Sequence, residues 1–493
     1  MSRKVAKVEQ GGWKMKILYV SSEALPFAAS GGLADVAGSL PKALVNEGQD
    51  CRVVMPLYGD ISPKWREKMT YLTNFTVDVA WRKQYCGVFM IKVKGVTYYL
   101  LDNEYYFLRD GLYGFYDDAE RFAFFSRAAL EMLSFIDFCP DIIHSNDWQS
   151  ALVPVYYDVF YRFKEYYQDI KTVFTIHNIQ YQGKYGMELL NDILGIPLYY
   201  ANLLEYDGDI NFMKGAIEIA DKVTTVSPSY ALEILDPWYA HGLDRILRNK
   251  QYKTCGFLNG IDVQEYNPAT DPNIYENFSV NNKKGKAICK QELLKELSLP
   301  QGKEPVIGIV TRLTTHKGLD LIKEVFDDII DLGYKVVILG SGDKEYEDFF
   351  RSMRSKYPDK VSVTIGFIPI LARKIYAGVD MFLMPSKSEP CGLAQMVSLR
   401  YGTIPIVRET GGLRDSIKDS GGKGGNGFTF QTYNSYDMLD AIRRAKAVYD
   451  NRLRWGKLTS NALRSDFSWR KSAKLYIGLY EELVPNNQLT TTL

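Results

Sequence analysis

Val306-Ile307-Gly308-Ile309-Val310-Thr311-Arg312-Leu313-Thr314-Thr315-His316-Lys317-Gly318-Leu319 holds the fold in miniature. A short Val/Ile-rich run without polar alternation reads as a strand covered on both faces. A polar turn follows, then helical spacing over Leu319–Leu332, then a second apolar run at Lys335–Leu339. Strand, helix, strand in that order predicts a parallel, doubly wound sheet. The pattern continues downstream through Val361–Ile365, Met381–Met384 and Ile404–Val407. Upstream it occurs independently at Ile17–Val20, Arg52–Met55, Thr97–Leu101, Asp141–His144, Thr172–Ile176 and Lys222–Val226, with helix-like stretches at Ala119–Phe135 and Asn211–Ala220. A polar stretch from Asn267 to Glu304 separates the two series. The chain therefore reads as α/β, with two Rossmann-like domains in series and not one large sheet. Its 493 residues suit two or three domains of about 150 residues each.

Composition narrows the function. Hydrophobic residues make up 46% and charged residues 24%, which excludes wholesale disorder. A formal net charge of +1 argues against a nucleic-acid binder, which needs a clear excess of Lys and Arg. The 35 Tyr and 24 Phe fill a core, and they also suit a sugar ligand with apolar faces and many hydroxyls. Cys51, Cys86, Cys139, Cys255, Cys289 and Cys391 form no CxxC motif and read as reduced thiols. With four histidines, no metal site is expected. No apolar run approaches the length of a membrane span, and none follows the basic start as in a signal peptide, so the expected compartment is the cytoplasm.

Several strand ends carry residues suited to chemistry. Ser30-Gly31-Gly32-Leu33 follows the first strand, where a Gly-Gly pair lets backbone approach a phosphate at a helix start; the plain alternative is a turn. Arg312 and Lys317 are two cations in one strand-to-helix loop, either a phosphate grip or two solvated charges. Glu389, in Ser388-Glu389-Pro390-Cys391-Gly392-Leu393, can accept sugar hydroxyls or face a cationic carbon; otherwise it is a helix-start acid favoured by the dipole. Thr410-Gly411-Gly412 repeats the glycine arrangement, and a diphosphate ligand explains the recurrence. Asp147 and His177 each end a strand, placed to accept from and donate to a sugar. The run Tyr156–Tyr167 reads mainly as a core-facing helix, with a surface glucan platform as the alternative. Gly421–Gly427 reads as a mobile surface loop.

Together these segments resemble the bacterial glycogen synthase and plant starch synthase family from about Met15 to Leu483. The likeness rests on Ser22-Glu23-Ala24-Leu25-Pro26-Phe27, Gly31-Gly32-Leu33-Ala34-Asp35-Val36, His177-Asn178, Thr224-Thr225-Val226-Ser227-Pro228 and Leu258-Asn259-Gly260-Ile261-Asp262. It continues through Thr311-Arg312-Leu313, Lys317-Gly318-Leu319-Asp320, Glu389-Pro390-Cys391-Gly392-Leu393 and Thr410-Gly411-Gly412-Leu413. The resemblance implies the GT-B fold with its active site in the interdomain cleft. It implies a retaining transferase that moves glucose from ADP-glucose to glycogen or a maltooligosaccharide, without a cofactor, metal, nucleic acid or membrane partner. UDP-glucose is the other donor to test.

Carried over by position, Arg312 and Lys317 hold the donor diphosphate, and Glu389 faces the donor glucose with Cys391, Gly392 and Leu393 beside it. Thr410, Gly411 and Gly412 add phosphate contacts, and Gly31 and Gly32 are substrate-binding candidates on the first half. His177, Asp147 and Asn259 orient the glucosyl unit, Tyr113 lies at the sugar site, and Phe367 stacks on the nucleobase. The implied boundaries are an unstructured extension at 1–14, an acceptor-side domain at 15–262, a linker at 263–302, a nucleotide-sugar domain at 303–465, a helix crossing back at 466–483, and a tail at 484–493. The chain departs from the family's Lys-x-Gly-Gly-Leu motif, since Ala29 stands at the lysine position; Lys42, Lys214 and Lys387 are candidate substitutes. A second carboxylate found in some relatives is replaced by Val397. The alternative reading is a catalytically impaired glucan-binding paralogue, resting on Ala29.

Overall fold

The computed structural model describes residues 14–422 and 424–484. The expected extension at 1–14 and tail at 484–493 lie outside these residues, apart from Lys14 and Val484. The chain divides into two compact units.

The first unit is built on a nine-stranded sheet. Its strands are β1 (Lys16–Val20), β2 (Asp50–Pro56), β3 (Thr70–Val79), β4 (Arg82–Val93), β5 (Val96–Asp102), β6 (Ile142–Asn146) and β7 (Lys171–Ile176). A small antiparallel sheet of β8 (Lys184–Gly186), β9 (Glu205–Tyr206) and β10 (Asp209–Asn211) intervenes before β11 (Lys222–Thr225) and β12 (Thr254–Gly256). The large sheet runs β12-β11-β7-β6-β1-β2-β5-β4-β3. It is parallel from β12 through β5, and β4 and β3 add an antiparallel edge. Strand order reverses between β1 and β6, so ligand-binding loops belong at the carboxyl ends there.

The second unit holds β13 (Val306–Val310), β14 (Lys335–Gly340), β15 (Val361–Ile365), β16 (Met381–Met384), β17 (Ile404–Arg408) and β18 (Phe428–Phe430), all parallel. Their order, β15-β14-β13-β16-β17-β18, is that of a Rossmann sheet, with its reversal between β13 and β16. Ile307, Ile309, Val336, Ile338, Leu383 and Ile406 face the helices on one side, while Val306, Val337 and Leu339 face those on the other. Covering on both faces is why these strands read as unbroken apolar runs.

Several expectations change at the element level. The β3–β4 hairpin is absent from the sequence reading, because its one buried face gives alternation and not a run; Phe75, Val77 and Val79 are buried while Thr76 is exposed. The helix expected over Leu319–Leu332 is two, Leu319–Glu324 and Phe326–Asp331, separated at Val325 with φ −118° and ψ 22°. The helix expected over Ala119–Phe135 spans Asp118–Glu131 and tightens to a 3-10 turn at Met132–Ser134. The stretch 263–302, expected as a linker, contains the helix Lys284–Glu296. Leu293 and Leu294 of that helix are buried with Leu371, Ile375 and Val379, so it belongs to the second unit's core.

The Tyr-rich stretch is mostly core. Tyr156, Tyr157, Tyr161 and Tyr167 are buried, which favours the packing role over an aromatic platform made of these tyrosines. Its backbone widens to a π-helical turn over Tyr157–Tyr161. The last helix, Trp469–Leu483, packs on the helix Gly32–Asn46 of the first unit. Tyr480 Oη lies 2.7 Å from His144 Nδ1, and Glu482 pairs with Lys222 at 3.0 Å. Among the described residues, no helix is long and apolar enough to cross a membrane.

Candidate active site

In the first unit the candidate residues gather at the carboxyl ends of β1, β6 and β7. After β1 the chain turns through Ser22 and Glu23. The Glu23 carboxylate is buried and accepts hydrogen bonds through Oε2 from Ser30 N at 2.6 Å and Ser30 Oγ at 2.7 Å. This pins the loop that delivers Gly31 and Gly32. Burial raises the Glu23 carboxyl above its ordinary range, against the pull of those hydrogen bonds. Ala29 is exposed beside this loop. Of the candidate substitutes for the missing lysine, Lys214 is committed elsewhere, since its Nζ donates to Asn202 O and Leu203 O.

The two Gly-Gly pairs differ in kind. Gly31 and Gly32 are exposed, neither has a positive φ, and a Cβ on either would meet nothing within 4 Å. Neither conformation nor packing demands glycine there, and the space beside both residues is open. A Cβ on Gly411 would sit 2.1 Å from Glu389 O, and one on Gly412 2.1 Å from Cys391 O. Packing alone accounts for that second pair.

Asp147 sits at φ 56°, a strained conformation for a non-glycine residue. Its Oδ1 accepts from His177 N at 2.7 Å and Asn178 N at 3.2 Å, clamping the end of β7. Burial pushes the Asp147 carboxyl up to about 7, against those two backbone donors. His177 Nε2 lies 2.9 Å from Asn146 Oδ1. The Asn146 amide nitrogen donates to Val20 O and His144 O, so its oxygen is the acceptor and His177 Nε2 carries the proton. Burial lowers the His177 imidazole to about 3, which keeps the ring neutral. Its Nδ1 is therefore an acceptor. This corrects the expectation that the ring donates to a sugar: it can accept from a hydroxyl there. Tyr113, half-buried, shares a hydrogen bond with Ser22 at 2.8 Å and feels the fields of Glu23 and Asp147.

In the second unit, Arg312 and Lys317 follow β13, and Glu389 follows β16, on the two sides of the sheet's reversal. Gly318 has φ 73°, and a Cβ on it would lie 2.1 Å from Pro385 O. Glycine thus lets the Arg312 loop press against the loop of Glu389, and Lys387 N donates to His316 O at 2.9 Å to tie them. Lys317 Nζ then reaches Glu389 Oε2 at 2.7 Å, and Ser386 Oγ donates to the same oxygen at 3.0 Å. Glu389 Oε1 accepts no hydrogen bond among the described residues. Burial works to raise the Glu389 carboxyl, but the Lys317 ammonium and the two hydrogen bonds outweigh it and hold the group below its ordinary value. Arg312 is exposed, and its side chain has no hydrogen-bond or ion-pair partner among the described residues.

Cys391 is buried beside Glu389, and burial pushes its thiol up to about 12, so it is not a nucleophile. Gly392 has φ 69°, and Leu393 caps the helix Ala394–Arg400. Asn259 belongs to this unit, with its backbone N–H on the Cys391 sulfur. Its amide oxygen is buried and has no partner among the described residues, a state that favours a ligand donor. Thr410 Oγ1 and Gly411 N both donate to the Glu233 carboxylate, at 3.1 and 2.8 Å, and Gly412 N donates to Glu389 O and Pro390 O. The phosphate donors expected at 410–412 are thus engaged within the chain. Phe367 is 89% exposed just past β15, with its ring open to stacking.

Sequence reasoning did not single out Ser386, Glu23, Asn146 or Glu233. Glu23 lies inside a motif quoted above and Ser386 stands three positions before Glu389, so proximity to Gly31 and Glu389 was their signal. Glu233 is 177 positions from Thr410 and carried none. Among the described residues no cluster of potential metal ligands forms.

The starch synthase catalytic domain model matches residues 16–249, and the model for glycosyl transferases group 1 matches 290–461. Glycogen synthase of Desulforamulus reducens is 51% identical, over 96% of this chain and 99% of its own. That of Geobacillus stearothermophilus is 48% identical, over 97% of this chain and 99% of its own. Among solved structures, the catalytic domain of starch synthase IV from Arabidopsis thaliana, bound to ADP and acarbose, matches with a TM-score of 0.88 at 33% identity. That match covers 96% of this chain and all of the other. Sucrose-phosphate synthase from Thermosynechococcus elongatus, at 16% identity and a TM-score of 0.59 over 96% of this chain and 99% of its own, shares the fold.

Proposed function

The chain belongs to the bacterial glycogen synthase and starch synthase family of GT-B glucosyltransferases, and on that premise we propose that it extends an α-1,4-glucan from ADP-glucose with retention of configuration. The observation that carries the reading is the convergence of Lys317 and Ser386 on one oxygen of Glu389, which leaves the other free.

The reaction breaks the bond between the anomeric carbon and the β-phosphate oxygen. ADP leaves with the electron pair, and its growing charge meets Arg312 and Lys317. Positive charge developing on the sugar ring meets the anionic Glu389 and the His177 carbonyl. The acceptor 4-hydroxyl attacks from the face that ADP leaves. Its proton passes to the departing phosphate oxygen, so configuration is retained and no protein nucleophile is consumed. Asp147 and Tyr113 serve the glucosyl unit, and Asn259 offers its unpartnered oxygen to a hydroxyl. Phe367 offers a stacking face to the base. Loss of the motif lysine at Ala29 removes one charge-assisted contact, about 1.5–3 kcal/mol at most, too little to silence the reaction. The Glu23 anchor on Ser30 still holds that loop.

A matrix of ADP-glucose and UDP-glucose against glycogen and maltotriose tests the reading. We expect transfer from ADP-glucose to both acceptors, with product analysis showing α-1,4 linkages. Glu389→Gln and Lys317→Ala should each lose at least about a hundredfold in kcat, as removal of one group stabilising transition-state charge does. Near-normal rates in both variants would end the assignment.

A further inference from the structure

His316 stands between the two cations of the loop that follows β13, and the reaction described above gives it no part. Its backbone is held from both sides. The 3-10 turn Thr315–Lys317 carries it, with Lys317 N donating to Thr314 O at 3.0 Å and Gly318 N to Thr315 O at 3.1 Å. From the loop after β16, Lys387 N donates to the His316 carbonyl at 2.9 Å. The residue itself is exposed. Its Nδ1 lies 3.2 Å from Thr314 Oγ1, and its Nε2 has no partner among the described residues. A fixed backbone thus presents one open ring nitrogen in the loop assigned to the donor diphosphate.

Four charged side chains act on this ring. Arg312 and Lys317 come from its own loop, Glu389 from the loop after β16, and Asp343 from the position ahead of the helix Lys344–Lys356. Tyr346 of that helix donates to Thr315 Oγ1 at 3.4 Å, and the Lys387 ammonium lies 5.8 Å from the centre of the Tyr433 ring. Desolvation first, then the Lys317 and Arg312 charges, lower the imidazole below its ordinary value, so the ring is neutral at pH 7. The two cations and the two carboxylates sum to no net charge, and Lys317 is already paired with Glu389 at 2.7 Å. The diphosphate of a sugar nucleotide is a dianion at neutral pH. Its arrival neutralises the two cations that depress the ring and adds an attraction for a third. Donor binding and proton uptake by His316 are therefore linked.

We propose that His316 is a third phosphate-binding residue of the donor site, which takes a proton from water as the diphosphate arrives and returns it when the nucleotide leaves. The inference rests on the proposed reaction, which brings a sugar nucleotide to this loop. In the protonated ring Nδ1–H donates to Thr314 Oγ1 and Nε2–H donates to a phosphate oxygen. That supplies a further cation in a chain with Ala29 at the motif lysine position. The sign of the pH effect follows. Between the lowered value of the free ring and the raised value of the bound one, the complex holds more protons than the free protein. Donor affinity therefore strengthens as pH falls through that window and weakens as pH rises.

The test compares the unaltered full chain with His316→Gln, which can hydrogen-bond but not titrate, and with His316→Lys, which stays charged. Calorimetric titration with ADP-glucose alone, in two buffers of different ionisation heat, counts the protons taken up on binding. The unaltered chain should take up a fraction of a proton per donor, and both variants clearly less. Kinetics with maltotriose give the ADP-glucose KM across the neutral range. From mildly acid to mildly alkaline pH, that KM should rise about three- to tenfold more in the unaltered chain than in His316→Gln, as loss of one charge-assisted contact gives. The ADP-glucose diphosphate has no ionisation in this range, and the other titrating groups of the site are common to all three chains. His316→Lys should keep the low KM at alkaline pH. Equal proton uptake in the unaltered chain and His316→Gln overturns the inference, as do parallel KM profiles, which would reduce His316 to a structural part of the loop. The proposed reaction fails separately: it falls, and the inference with it, if the unaltered chain neither binds ADP-glucose nor transfers glucose to an acceptor.

Discussion

Ser386 acts through another residue. Its hydroxyl and the Lys317 ammonium meet on Glu389 Oε2, and that arrangement leaves Oε1 without a hydrogen bond among the described residues. Ser386 is buried and has little other work to do. Removing the hydroxyl in Ser386→Ala leaves Glu389 with one donor fewer. A hydrogen bond to a charged group contributes about 1.5–3 kcal/mol, so kcat should fall about ten- to a hundredfold. The pH profile distinguishes positioning from packing. The bond lowers the Glu389 carboxyl, so its loss raises that group and moves the acid limb of the rate profile to higher pH. Ser386→Thr should restore both. An unshifted acid limb would show that Ser386 only fills space.

At the scale of elements, glycine reports what each turn is for. Gly318 lets the loop after β13 lie against Pro385, and that contact delivers Lys317 to Glu389. Gly318→Ala would drive a Cβ into the Pro385 carbonyl and strain a left-handed residue, so both fold stability and turnover should drop. A cost of about 1–3 kcal/mol is expected from the backbone strain, read as a lower thermal midpoint. Gly31→Ala should behave oppositely: the thermal midpoint holds, because the Cβ meets empty space, while donor KM rises. Finding stability lost in Gly31→Ala and kept in Gly318→Ala would invert this account of the two loops.

Across the whole molecule, the chain starts in the first unit, builds the second, and returns with Trp469–Leu483 to finish the first. Tyr480 of that returning helix meets His144 on β6, and His144 Nε2 meets Thr175 on β7 at 2.6 Å. His144 is fully buried, and burial lowers its imidazole to about 3. The unfolded chain takes up a proton near pH 6.5 that the folded chain refuses until about pH 3. Between those values the unfolded state binds more protons, so this group makes stability fall as pH falls, by about 1.4 kcal/mol per pH unit once well below 6.5. Thermal midpoints of the full chain at pH 7 and pH 5 should therefore differ more than those of His144→Gln, which has no imidazole to protonate. An equal acid shift in the two chains would remove His144 from the account.

The α/β class, both Rossmann-type series, the family and most of the candidate site residues could be read from the chain alone. That follows from locality: a strand buried on both faces must be apolar along its length, and a loop at its carboxyl end must carry its own chemistry. The β3–β4 hairpin, the break at Val325 and the helix inside the polar stretch at 263–302 depended on which neighbours cover each face, which no local pattern records. The same holds for the finer chemistry. Glu233 on Thr410, Ser386 on Glu389 and Asn146 on His177 join residues whose distances along the chain carry no signal. The protonated nitrogen of His177, the free oxygen of Glu389 and the contrast between the two glycine pairs were set by packing, because hydrogen-bond partners and steric room exist only once the chain has closed on itself.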